Sequence, residues 1–173
     1  MTRIPYSTLH LMVLLAVLVI AFGTATAQPE DGTIKLREAV VLSDDAPEGA
    51  RDSLTDVMLE RIVYMSDGLE VEGFLAQPAE ATGDKLPCVV FNRGGNRDFG
   101  SITPVRAAFL LGHIAKRGYV VVASNYRGNG EFGRTRYPGD QVCEDCESEI
   151  GGVGREEFGG AEVNDILALI PLL

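Results

Sequence analysis

The fold class that the sequence predicts is α/β, with a mixed sheet left incomplete within these 173 residues. Three observations predict it. Two β-prone runs flank Ser66-Asp67-Gly68, which is a hairpin signal. Two nearly continuous apolar runs, 86–91 and 119–123, enclose a segment of helical period. A last run of helical spacing then comes after a long polar loop, so the order is hairpin, strand, helix, strand, loop, helix.

Residues 1–27 read as a signal peptide rather than as part of the fold. Arg3 gives a positive start, 9–22 is apolar, and Ala25-Thr26-Ala27 offers small residues at a cleavage site before Gln28. The apolar run is shorter than the about 20 residues that a bilayer span needs, so cleavage and export are expected, with no stable span afterwards. No cysteine follows the run, which argues against a lipid anchor. Residues 28–56 form a polar, acidic leader with an edge strand expected near 39–42, and the domain proper is expected over 57–173.

Within that domain, 57–65 and 69–76 are the hairpin strands. Leu69 and Val71 alternate with Glu70 and Glu72, which predicts one face in water. The run 86–91 suits a strand buried on both faces of a parallel sheet, with Cys88 as a small buried hydrophobe. Thr103 and Pro104 give a cap and first turn, and Val105, Ala108, Phe109 and Gly112 repeat at helical spacing up to Gly118. The strand 119–123 completes a βαβ unit. Val163, Ile166, Leu167 and Ile170 fall at i, i+3, i+4 and i+7, predicting a helix with that face packed inward.

Composition narrows the function classes. The chain is 46% hydrophobic and 23% charged, which allows a packed core. Its 25 acidic residues outnumber 15 lysines and arginines, and residues 1–27 hold Arg3 and no acid. Such a surface repels phosphate backbones, which excludes nucleic acid as a partner. Cys143 and Cys146 form a C-x-x-C in an acidic loop, where a local disulfide or plain surface thiols are expected over redox or metal chemistry. A zinc site would need a second ligand pair, and after residues 1–27 only His113 and Cys88 are left to supply one. No metal or other cofactor is expected.

Gly128-x-Gly130-x-x-Gly133 comes after a strand and matches the letters of a dinucleotide fingerprint. The mechanism is missing, because the third glycine should open a helix and Pro138-Gly139 breaks any helical period in 134–140. The turn Arg93-Gly94-Gly95-Asn96 leaves a strand and could aim main-chain N–H groups into a cleft. On periodicity alone it could equally be a tight turn with no chemistry.

The segment 86–96, with Asn92-Arg93-Gly94-Gly95-Asn96, and then Gly118-Tyr119 leading to Asn125-Tyr126-Arg127-Gly128 and Glu131-Phe132-Gly133, resembles the start of the prolyl oligopeptidase catalytic domain. The hairpin and the 159–165 segment fit the same frame, so the resemblance covers about 57–173. It implies an α/β-hydrolase fold and a serine hydrolase acting on peptide or ester bonds, with main-chain N–H groups of Gly94, Gly95 or Asn96 in the oxyanion hole. The family's usual His-Gly-Gly-Pro is replaced here, and Arg93 stands where some members place a tyrosine. A β-propeller domain is absent from the sequence.

The resemblance also implies a G-x-S-x-G elbow, then an acid, then a histidine. None of Ser43, Ser53, Ser66, Ser101, Ser124 and Ser148 sits in such a frame, and His113 precedes the place for the nucleophile. No catalytic residue is therefore assigned within the chain, and the elbow is expected after residue 173. In the family's order the strand 86–91 would pair on its far side with a strand lying beyond this sequence, leaving an apolar edge. Arg127, past a strand end, and Asp165, on the last helix, are candidates for a partly buried ion pair that holds the long loop; both solvated is the alternative. The function expected is that of the N-terminal part of an exported serine hydrolase. A non-catalytic binding module and a thiol redox protein using Cys143 and Cys146 are the rivals. Oligomeric state is not specified by the sequence.

Overall fold

The computed structural model describes residues 29–80, 85–94, 100–129, 157 and 159–173. In chain order the elements are β1 (Ile34–Ala39), α1 (Glu48–Ser53), β2 (Val57–Ser66), β3 (Leu69–Pro78), β4 (Cys88–Phe91), α2, β5 (Val120–Ser124) and α3 (Glu162–Leu167). Helix α2 is one run, Pro104–Ala107, then a π turn Ala108–Gly112, then His113–Ala115. A 3-10 turn at Ile170–Leu172 closes the described chain.

The hairpin forms because the Asp67-Gly68 turn matches strand twist. Both residues have positive φ, 49° and 76°, the arrangement that Asp-Gly favours. Ser66 faces Leu69, and the register runs unbroken to Val57 facing Pro78. The five strands lie in the order β1-β2-β3-β5-β4, antiparallel except for β4 and β5, which run parallel.

Strand alternation divides the side chains into two cores. Leu59, Phe74, Val121 and Ala123 pack with Ile102, Val105, Ala108 and Leu111 of the α2 region. Ile62, Tyr64, Val71, Leu75 and Val122 pack on the other face with Ala168 and Leu169. Helix α2 starts on the Thr103 side chain, which accepts from the Arg106 N–H, and Pro104 stands in the first turn. At its π turn the Ser53 hydroxyl donates to the Ala108 carbonyl at 2.7 Å, which fastens α1 to α2.

Several expectations are corrected. The edge strand is 34–39, not 39–42, because Leu36–Ala39 pair with Val63–Glu60 while Val40 and Leu42 turn into the α-helical core. The leader also contains α1, whose Ala50 and Ser53 are buried against α2. Strand β4 is half-buried rather than covered on both faces, since it ends the sheet and pairs with β5 alone. Cys88, at its start, is exposed and free, not a core residue.

Glu72 is not on a wet face. It is fully buried and paired with Arg61. Finally, α3 is turned from the face expected, with Ile166 half-buried. Val163, Leu167 and Ile170 are exposed, while Glu162, Asp165, Ala168 and Leu169 are buried, because the two carboxylates have partners inside.

Candidate functional site

In a parallel pair, both strands end on the same side of the sheet, and ligands of α/β proteins bind outside those ends. Here β4 delivers Asn92, Arg93 and Gly94 to that side, and β5 delivers Asn125, Tyr126 and Arg127 beside them. Gly94 is exposed, and among the described residues a Cβ placed on it would meet no atom within 4 Å. Gly95 and Asn96 lie outside the described residues.

The two strand ends are fastened by polar side chains rather than by sheet pairing. The buried Arg93 donates through Nε and Nη2 to the Asn125 carbonyl at 3.2 and 3.0 Å. Its guanidinium stacks on the Tyr126 ring, 4.7 Å from the centroid. The Tyr126 hydroxyl returns a bond to the Arg93 carbonyl at 3.4 Å. Tyr126 itself has φ 63°, a left-handed conformation costing an aromatic residue about 1–2 kcal/mol. Its N–H donates to Ser124 Oγ at 2.9 Å, and the next N–H, of Arg127, donates to Asp165 Oδ2 at 2.8 Å. These bonds hold the strained residue in place.

Arg127 and Asp165 come together. Nη2 donates to Asp165 Oδ1 at 2.8 Å and Nε lies 3.2 Å from the same oxygen. A second carboxylate, Asp67 of the hairpin turn, accepts from Nη2 at 2.8 Å and from Asn164 Nδ2 at 2.7 Å. The bond from Asn164, and then the Arg127 guanidinium, hold the Asp67 carboxyl below its usual range. The same network, led by the hydrogen bond to Asp165, pushes the Arg127 guanidinium above its ordinary value. The cluster ties β5, α3 and the hairpin turn at one point.

Several residues of this region carry roles that the sequence reading did not assign. Glu72 accepts from Arg61 Nε and Nη2 at 3.1 and 2.9 Å and from Asn125 Nδ2 at 2.9 Å. Across the sheet the Tyr64 hydroxyl donates to the Asp165 carbonyl at 2.8 Å and lies 2.7 Å from Ser124 Oγ. Burial pushes the Tyr64 hydroxyl up, against the contact with Ser124. Gly73 makes this reach feasible, since a Cβ there would stand 2.5 Å from the Ala123 carbonyl and 3.2 Å from the Tyr64 ring. The one signal available in sequence was the position of Asn125 at a strand end next to a tyrosine and an arginine.

His113 is exposed on α2. Gly128 has φ 75° and serves the turn after Arg127; Gly130 and Gly133 lie outside the described residues, as do Cys143, Cys146 and the signal segment 1–27. Among the described residues there is no group of three His, Cys, Asp or Glu that could hold a metal, and no helix long and apolar enough to cross a membrane.

No protein-family model matches the chain. An uncharacterized peptidase of Bacillus subtilis (strain 168), YtmA, is 32% identical over 117 residues, covering 68% of this chain and 35% of that protein. The chain thus spans about a third of the length of the curated relative it matches. Among solved structures, the rice cell wall degrading esterase LipA of Xanthomonas oryzae aligns at 20% identity over 63% of this chain and 32% of its own, with a TM-score of 0.40. A cold-adapted esterase from an Arctic intertidal metagenomic library aligns at 18% identity over 57% and 36%, with a TM-score of 0.31. The chain is thus similar in sequence to a peptidase-named protein, and its mixed sheet agrees with the α/β class expected from the sequence.

Proposed function

We propose that this chain is the N-terminal part of an exported serine hydrolase of the prolyl oligopeptidase type, cleaving peptide or ester bonds. The observation that carries the reading is the glycine turn leaving β4 beside the end of parallel β5, with Gly94 exposed. Main-chain N–H groups held there can meet the negative charge that develops on a carbonyl oxygen during acyl transfer. Such donors are effective because they are fixed before the reaction and need no reorganisation. The nucleophile, acid and histidine are supplied by polypeptide beyond these residues, since no G-x-S-x-G frame occurs among them. An acidic, exported enzyme of this kind takes small peptide or ester substrates and no nucleic acid.

The experiment is to read the gene past codon 173 and treat both products with a fluorophosphonate, which labels an activated serine. The longer product is expected to be labelled on the serine of an elbow, and the 173-residue chain to remain unlabelled. Stoichiometric labelling of the shorter chain, or a longer frame with no elbow, would overturn the proposal.

A further inference from the structure

On the reading that the glycine turn donates to an oxyanion, we infer that Asn125 is the residue that positions it. The described residues on both sides of 95–99 are attached to this one residue. On the β4 side, Arg93 donates twice to the Asn125 carbonyl. On the α2 side, the Asn125 side chain pairs with the main chain of Ile102, accepting from its N–H at 2.7 Å and donating to its carbonyl at 3.0 Å. An amide is the side chain suited to this, because it presents one acceptor and one donor side by side, as a peptide group does. The Ile102 pairing also fixes which way the amide faces.

Asn125 is itself held. Its second Nδ2 hydrogen goes to Glu72 Oε1 at 2.9 Å, and its N–H donates to the Glu72 carbonyl at 2.8 Å. The other Glu72 oxygen is occupied by Arg61. The chain of support therefore runs from Arg61 on β2, through Glu72 on β3, to Asn125 at the end of β5, and from there to residues 93 and 102. Asn125 is 1% exposed and Glu72 fully buried, so water does not compete for these bonds. Asn125 touches no reacting atom; it acts through the turn.

The test tracks main-chain amide exchange and NMR signals at Gly94 and Ile102 in the purified chain. Asn125→Asp is nearly isosteric, keeps an acceptor for Ile102 N–H, and loses both donors while facing Glu72 with a second carboxylate. Exchange at Ile102 is expected to rise about tenfold or more, the scale of one lost hydrogen bond to a charged group, with the Gly94 signal displaced. Adding Glu72→Gln to that variant restores a donor opposite Asp and is expected to return both signals part of the way. Leu167→Lys, at an exposed position of α3 outside this network, is expected to leave both in place. If Asn125→Asp and Asn125→Ala leave exchange and shifts unchanged, the inference fails. If the signals move but the longer hydrolase keeps its kcat with Asn125→Asp, Asn125 still holds the turn and it is the oxyanion reading that fails.

Discussion

Asp165 shows how much one buried carboxylate can organise. It accepts from the Arg127 side chain and from the Arg127 N–H, and its own carbonyl accepts from Tyr64. Replacing it with alanine leaves the Arg127 guanidinium, 7% exposed, with Asp67 as its remaining carboxylate in this cluster. Removing one partner of a buried pair costs about 3–5 kcal/mol, and the retained Asp67 contact places this case near the lower end. Urea denaturation of Asp165→Ala should show it, and a loss under about 1 kcal/mol would mean that the pair is solvated in the folded state. Gly73 is a second exacting position, because a methyl group there collides with the Ala123 carbonyl and crowds Tyr64. Gly73→Ala should cost about 1–3 kcal/mol, read by the same denaturation.

At the scale of elements, α3 separates periodicity from burial. Its apolar positions at helical spacing predicted an inward face of Val163, Ile166, Leu167 and Ile170, and of these only Ile166 is half-buried while the other three are exposed. Substituting Leu167 by Lys should therefore change stability by less than about 0.5 kcal/mol, whereas Leu169→Ala, at a fully buried position, should cost about 2–5 kcal/mol. Thermal melts of the two variants check the assignment. The hairpin was legible because Asp67-Gly68 encodes its turn locally. Strand β5 was legible because it is apolar and covered. The buried side of α3 was not legible from periodicity, although Asp165 could be named as a partner for Arg127, because a paired carboxylate leaves no apolar trace in the pattern. Glu72 misled for the same reason, its partners Arg61 and Asn125 being on other strands. Of the candidate site, the glycine turn could be found from sequence, but its anchor at Asn125 depends on Ile102 and Arg93 meeting in space.

For the molecule as a whole, charge sets the response to acid. Asp67 titrates below its ordinary range, chiefly through Asn164 and then Arg127. Burial pushes the Glu162 carboxyl up, but main-chain N–H groups, Gly160 and Glu157 among them, outweigh it and leave it lowered. A lowered folded value means that the unfolded chain takes up the proton first as pH falls. The stabilisation is complete above the unfolded values of about 4 and is lost as pH drops through the folded ones. Melting temperature should accordingly fall below about pH 4, and Asp67→Asn should flatten that slope; an unchanged slope would contradict the role of Asp67.

We propose that main-chain N–H groups of the turn after β4 stabilise an acyl-transfer oxyanion in the complete hydrolase. The most direct measurement of this is ester turnover by that enzyme with proline substituted singly at Gly94, Gly95 and Asn96, which deletes one N–H at a time. At one or more of these positions kcat should fall by about 10²–10³ with KM little changed. Wild-type kcat at all three would contradict the account.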